Sequence, residues 1–495
     1  MTPPPSSSSA TVVWSEDALR SLFTNCADVQ IQAYKFDDSQ ASEVLLIYCE
    51  GLCDNSQIGK YVLPELAALY RRGSSFQWLS RDVSGTLPLI SIDESETGEQ
   101  IVEYVYQGDL VFLFQESRRL FKMNICNRPQ RSPQDSSTEI SIKGPRDGFT
   151  EDLVVNVALI RKRIRSSSLH YETYTIGTRT KTRIGLLYFH DILNPKTLSE
   201  VRNRLKKIEI DGIYSINQLE ELLADAKMNV LPVFSITGRP DYVVNSLLAG
   251  RFIIIVDGIP MVLIGPATIS LLMKSPEDIH FNYLYISFAR LIRNVSLLLS
   301  ISLPGFWVAL AAFHQDQLPF RMMATISGAR LGLPLSAQME MFILLMLLEI
   351  FREAGVRLPS SIGQTLTVVG GLIIGDASIR AGFVSPSVVV VGAITAVTSV
   401  TLVNQSLSTV VSVLRLIIFV VSSIIGMYGL ILCLIMLVGY LSRLRSFGVP
   451  YLAPLSPLHW RDVFKSYLRL PWVKMKQRPH VLRTTDRDHM EEDSP

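Results

Sequence analysis

Four ionisable side chains sit among apolar sequence in the C-terminal half of this chain: Glu340, Glu349, Asp376 and Arg380. A charge at membrane depth costs on the order of 2.5–3.5 kcal/mol on insertion scales, so each of these needs a partner or water and is by default a functional candidate. Asp376 and Arg380 are four apart and can pair across one helical turn, as can Glu349 and Arg352 at a spacing of three. Glu340 is read in the middle of an otherwise apolar helix with no basic residue at helical spacing, which leaves two readings: a carboxylate lining a cation path, or a neutral buried carboxyl. Between these charges Gly363, Thr367, Gly371 and Gly375 recur at every fourth position, a stripe of small residues along one face of a helix. Gly371-x-x-x-Gly375 is the spacing that lets membrane helices touch backbone to backbone, either within the chain or between subunits around a pore.

None of this chemistry is covalent. His170, His190 and His280 are scattered, no Ser/His/Asp arrangement is visible, and the five cysteines (26, 49, 53, 126 and 433) show no C-x-x-C spacing. Neither an enzyme, a metal site nor a cofactor is expected. Lys+Arg 47 against Asp+Glu 45 gives a net charge of only +2, so nothing in the balance suggests nucleic acid.

The elements that hold these residues are set by an abrupt change of composition. Overall 48% of residues are hydrophobic and 19% charged, with a mean hydropathy of +0.27. Charges spread through roughly the first 290 positions and then thin out. Uncharged runs at 294–313, 358–375, 383–403 and 416–440 are read as four spans, the last about 25 residues and long enough for a hydrocarbon core of about 30 Å. Leu331–Phe351, interrupted by Glu340 and Glu349, is read as an interfacial or re-entrant helix, because a fifth crossing would carry the basic tail (Arg443 to Arg478) outside. The N-terminus is Pro/Ser-rich with no signal peptide, so both termini are expected in the cytoplasm.

The front part reads as mixed α/β in two lobes. A helix over 15–23 and strands at 44–48, 87–92 and 109–114 build the first; the polar, Pro-bearing stretch 127–137 is a linker. Helices over 151–164, 198–208, 216–224 and 240–250, a strand over 184–189 and a hairpin turning on Asp257-Gly258 build the second. In the first of these helices the basic residues Arg161, Lys162, Arg163 and Arg165 crowd the last turn, where they suit the helix dipole. The expected organisation is a disordered tail at 1–14, an α/β lobe at 15–137, a second at 138–285, an all-α polytopic membrane domain at 286–442 and a basic tail at 443–495. The basic run 179–183 reads as a solvated strand edge, and the turn GPRDG at 144–148 as a helix lead-in.

Several of these segments carry a resemblance. The stretch from Pro319 to Val403, with GPRDGFTED (144–152), GTRTKT (177–182), RPD (239–241), VDG (256–258) and SPED (275–278) before it, closely resembles the A-subunit family of bacterial spore germinant receptors, the GerA family. The likeness covers roughly 139–472. It implies a multipass protein of the spore inner membrane that acts with a second membrane subunit and a lipoprotein subunit in the response to nutrients. It also implies assembly into an oligomer, a ligand-gated ion-conducting one, among membrane lipids and without catalysis. A non-conducting signalling or scaffold subunit is the rival reading. A secondary transporter ranks last, since no two halves of the membrane region look alike.

Overall fold

A computed structural model describes residues 14–37, 43–73, 87–93, 95–127, 141–225, 229–357, 377 and 379–489. The chain divides into two compact units: residues 1–223, 236–266 and 476–494 in one, and 224–235 with 267–475 in the other. Residues 267–285, read from the sequence as the end of the second lobe, group with the helices. Residues 476–489, read as tail, group with the sheets.

The first unit holds two five-stranded sheets. In the first, β1 (Val29–Lys35), β2 (Glu43–Cys49), β3 (Ile90–Ser91), β4 (Asp109–Phe114) and β5 (Arg119–Asn124) are ordered β1-β2-β4-β5-β3, with every pair antiparallel. The sequences of β2 and β4 are apolar at nearly every position because both their faces are covered. Strand alternation sends Val44, Leu46, Phe112 and Phe114 to one core with Leu66 and Leu69 of α2 (Leu63–Gly73). Leu45, Ile47, Val111 and Leu113 go to the other, with Leu19 of α1 (Glu16–Leu22) and Ile101 and Val105 of α3 (Gly98–Gln107). Trp14, read as part of the disordered tail, is buried in this second core, and Ser15 caps α1. Of the strand expected at 87–92 only Ile90–Ser91 pairs. The linker residues 128–137 lie outside the described residues.

The second sheet is ordered β6-β7-β9-β10-β8 from β6 (Leu169–Ile176), β7 (Thr182–Phe189), β8 (Ser235–Thr237), β9 (Phe252–Val256) and β10 (Val262–Gly265). Helices α4 (Leu153–Arg161), α5 (Pro195–Lys206), α6 (Ile216–Leu223) and α7 (Pro240–Leu248) accompany it. The β9–β10 hairpin does not turn on two residues as Asp257-Gly258 suggested, since Ile255 pairs with Val262 and the loop is wider. Asp257 is drawn away by other donors: the Leu153 amide at 3.2 Å and the Arg183 guanidinium at 3.2 Å. The basic run at 179–183 is likewise tied down, with the Arg179 amide donating to the Asp211 carbonyl at 2.9 Å.

The second unit is helical: α8 (Tyr283–Phe313), α9 (Phe320–Arg330), α10 (Ala337–Arg357), α11 (Pro386–Val400), α12 (Gln405–Ile425), α13 (Met427–Arg443) and α14 (Trp460–Tyr467). Trp307 and Val308 of α8, Met341 and Leu345 of α10, Val388 and Val391 of α11, and Phe419 of α12 share one core. Among the described residues two helices, α8 and α12, are long and apolar enough to cross a membrane. The uncharged run 416–440, expected as one span, is divided at Gly426. This residue has φ 70° and ψ −144°, a conformation that side chains other than glycine's disfavour, and a Cβ there would meet Phe313 at 3.0 Å. Hydropathy does not register such a break. Helix α11 has 15 residues, about 22 Å by its rise, and the run 358–375 lies outside the described residues.

Candidate functional site

Several polar residues of the helical unit converge on a partly buried cluster. Glu349 and Arg352, three apart on α10, pair at 2.5 Å. Arg415 of α12, almost fully buried, reaches the other oxygen of Glu349 at 3.3 Å through Nη2 and donates to Ser399 Oγ of α11 at 2.6 Å through Nη1. Ser399 Oγ is 2.8 Å from Ser300 Oγ of α8. Ser412 accepts from both Arg352 and Arg415. Four helices are therefore tied by two guanidinium groups, one carboxylate and three hydroxyls. Arg415 Nε has no hydrogen-bond partner among the described residues. Two cations face one carboxylate, and of the two guanidinium groups that of Arg415 is the buried one.

Glu340 is not in the middle of its helix but in the first turn of α10, fully buried. It accepts the backbone N–H of Ser385 at 2.9 Å through Oε2, while Oε1 stands 3.7 Å from Arg330 Nε. The expectation of no basic neighbour held only for helical spacing, because Arg330 comes from the preceding helix α9. Arg330 also lines a cleft of about 270 Å³ with Ala311, Gln315, Met323, Ile326 and Ser327. Arg380 is exposed. Gly363, Thr367, Gly371, Gly375 and Asp376 lie outside the described residues.

Arg415 is the residue that the sequence reading passed over, because it immediately precedes the uncharged run. A signal was present: Ser412, Arg415 and Ser422 recur at helical spacing on α12, and all three are buried. Close approach supports this face, since a Cβ on Gly305 of α8 would lie 2.9 Å from Ser422 Oγ. At the start of α8 a second tie forms, with Asp278 taking Arg293 at 2.6 Å and Arg290 at 2.9 Å. Burial opposes the charge of Asp278, but the hydrogen bonds from Arg293 and the nearby charge of Arg290 outweigh it and hold the carboxyl below the usual carboxylate range.

In the sheet unit the two lobes are locked by a buried ion pair. Arg161, expected with other basic residues at the helix end, is fully buried and grips Asp28 of the first lobe at 2.7 and 3.1 Å. Its guanidinium also lies 4.2 Å from the centre of the Tyr106 ring. Asn25 and Ala27 bridge to Tyr171 on β6 through backbone bonds of 2.9 and 3.1 Å. His170 and His190, distant in sequence, stack at 5.0 Å. Near them Glu172 accepts from Tyr188 at 2.6 Å and from Tyr174 at 2.7 Å, and pairs with Arg202.

The segments that carried the resemblance turn out to be ties of this kind. Asp147 holds Arg163 at 2.5 Å, Asp152 caps α4 through the Val154 amide at 2.7 Å, and Arg239 pairs with Asp241 at 2.7 Å. Asp257 and Asp278 act as described above. A family model described as Bacillus/Clostridium GerA spore germination protein matches residues 17–481. Spore germination protein XA of Bacillus anthracis is 42% identical, over 96% of this chain and 97% of its own length. Spore germination protein B1 of Bacillus subtilis (strain 168) is 34% identical, over 94% and 95%. The crystal structure of the N-terminal domain of the A subunit of the Bacillus megaterium spore germinant receptor GerK3 aligns with 28% identity and a TM-score of 0.39, covering 51% of this chain and 92% of that one. With nearly its whole length matched, and with the matched acidic and basic residues placed as the ties of its fold, the chain belongs to the GerA family of spore germination proteins.

Proposed function

We propose that this chain is the membrane subunit of a nutrient germinant receptor, a multipass protein of the spore inner membrane with both termini in the cytoplasm. It acts with a second membrane subunit and a lipoprotein, and its helical unit oligomerises to pass ions when the receptor is triggered. It catalyses no reaction. The observation that carries this reading is the inverted polarity of the helical unit. Its interior holds Arg415, Ser300, Ser399 and Glu340, whereas its surface shows Val390, Ile394 and Val397 of α11, Ile417 and Ile424 of α12, and Ile435 and Met436 of α13. A surface so apolar is costly in water and neutral in lipid. Charges kept inside it have a use only if they hold helices together or meet ions and water, and a conducting unit needs both.

The test is ion release from spores. Spores lacking this chain, and spores with the chain restored, are challenged with a mixture of amino acids, sugars and nucleosides, and external potassium is followed. Restoration of an early potassium release that the deletion abolishes is the expected result. Germination that proceeds to rehydration with unchanged early ion release in the deletion removes the proposal. A purely recruiting subunit would restore germination even when its helices are replaced by an unrelated anchor.

A further inference from the structure

Helix α14 lies beyond the last long apolar helix, in the segment read as basic tail, and its three faces differ in kind. At about 100° per residue, Asp462 and Ser466 share one face, Arg461 and Lys465 a second, and Trp460, Phe464 and Tyr467 a third roughly opposite the first. The first face is docked on protein. Asp462 is buried, and the Ser466 carbonyl accepts from Arg290 of α8 at 3.3 Å. Just past the helix the Arg469 amide donates to Ser287 Oγ of α8 at 3.0 Å, and its guanidinium reaches the Phe281 carbonyl at 2.8 Å. The helix is thus clamped to the opening turns of α8. On its third face Trp460 is 64% and Phe464 53% exposed, with their rings 6.5 Å apart, while Tyr467 at the end of the helix turns in beside Arg290 and Asn294 of α8. Leu455 and Leu458, just before it, are exposed as well.

We propose that α14 is an interfacial helix, lying in the headgroup region of the bilayer with Trp460 and Phe464 inserted toward the acyl chains. Three observations select lipid as the occupant. The same opening turns of α8 that hold the helix turn Leu284, Tyr285, Phe288 and Leu291 outward, so the apolar surface of a candidate span continues to this level. Tryptophan and tyrosine favour this depth, where a ring meets hydrocarbon and a polar atom meets water. Arg461 and Lys465 flank the apolar face on the side where phosphate headgroups would stand. The helix then fixes the start of α8 at the membrane surface, and Asp278 with Arg290 and Arg293 forms a rigid joint there.

The inference rests on the membrane reading of the helical unit, and the experiment separates the two. The full chain, with the partly exposed Cys126 and Cys433 replaced by serine and alanine, is labelled with a bimane at Phe464→Cys or, separately, Leu458→Cys. It is reconstituted in vesicles of phosphatidylcholine and phosphatidylglycerol, with labels at Ile424→Cys and Tyr214→Cys as references for lipid and water. Labels at 458 and 464 should be quenched by lipids carrying a nitroxide near the headgroup and protected from aqueous iodide relative to position 214. Labels open to iodide and untouched by the lipid quencher overturn the proposal, as do labels shielded from both, which would mean that protein covers the face. If position 424 is also untouched by the lipid quencher, the membrane reading itself has failed.

Discussion

A buried charge is expensive alone and modest as a pair, so the tie between the two lobes can be examined by removing one partner. For Asp28 and Arg161, Arg161→Met leaves a carboxylate in a low-dielectric seam between the lobes, and the expected loss is about 3–5 kcal/mol in urea unfolding. Adding Asp28→Leu should recover much of that loss, since the stranded charge then disappears. A double variant as unstable as the single one would show that Arg161 acts through the Tyr106 ring and its own packing rather than through the carboxylate. His170 offers a pH test. Burial first, then the neighbouring His190, hold its pKa below the usual 6.5, so the folded chain favours the neutral ring. Its contribution is complete above pH 6.5 and is lost as pH falls through the lowered folded value, because the unfolded chain then binds more protons. The melting temperature should therefore fall between pH 7.5 and 5.5, and His170→Phe should flatten that slope. An unchanged slope would assign the pH dependence to other groups.

At the scale of elements, the helices of the second unit touch where side chains are small. A Cβ on Gly392 of α11 would come within 2.3 Å of Leu344 Cδ2 and 3.1 Å of its Cγ on α10. Gly392→Leu should force these helices apart and lower the melting temperature of the detergent-solubilised chain, whereas Val390→Leu, on an exposed position of the same helix, should leave it unchanged. Equal melting temperatures would mean that Leu344 simply turns aside. How far such elements could be read beforehand depended on what each one buries. Strands β2 and β4 were legible because both faces are covered and the apolar run is continuous, and α7 because Pro240 opens it and Gly250 closes it. Strands β1 and β6 were missed although VQIQAYK and LHYETYTI alternate apolar with polar residues as half-buried strands do, because neither carries a continuous apolar run. The break at Gly426 was hidden because it depends on a backbone angle rather than on polarity. Of the candidate site, the pairing of Glu349 with Arg352 followed from spacing along one helix. Arg330 beside Glu340, and Arg415 beside Glu349, depend on contacts between helices that no local period encodes.

For the whole molecule, a sheet unit rich in internal ion pairs is joined in one chain to a helical unit apolar outside and charged within. In the conducting role proposed above the charged interior must also meet ions, whereas in an anchor it would only tie helices together. Arg415 is the residue on which that distinction turns. It connects α12 to α10 and α11, and Arg415→Leu would leave Ser399 with Ser300 as its side-chain partner and Glu349 with Arg352 alone. The most direct measurement is therefore current across a planar bilayer containing the purified chain with the second membrane subunit and lipoprotein proposed as its partners, in a potassium chloride gradient, before and after addition of the nutrient mixture that triggers the parent spores. The account predicts nutrient-dependent currents that Arg415→Leu abolishes and that Ile417→Leu, on the outward face of the same helix, preserves. A complex that binds its partners, restores germination in spores and yet carries no current under any nutrient would contradict it and leave the chain a non-conducting subunit of the receptor.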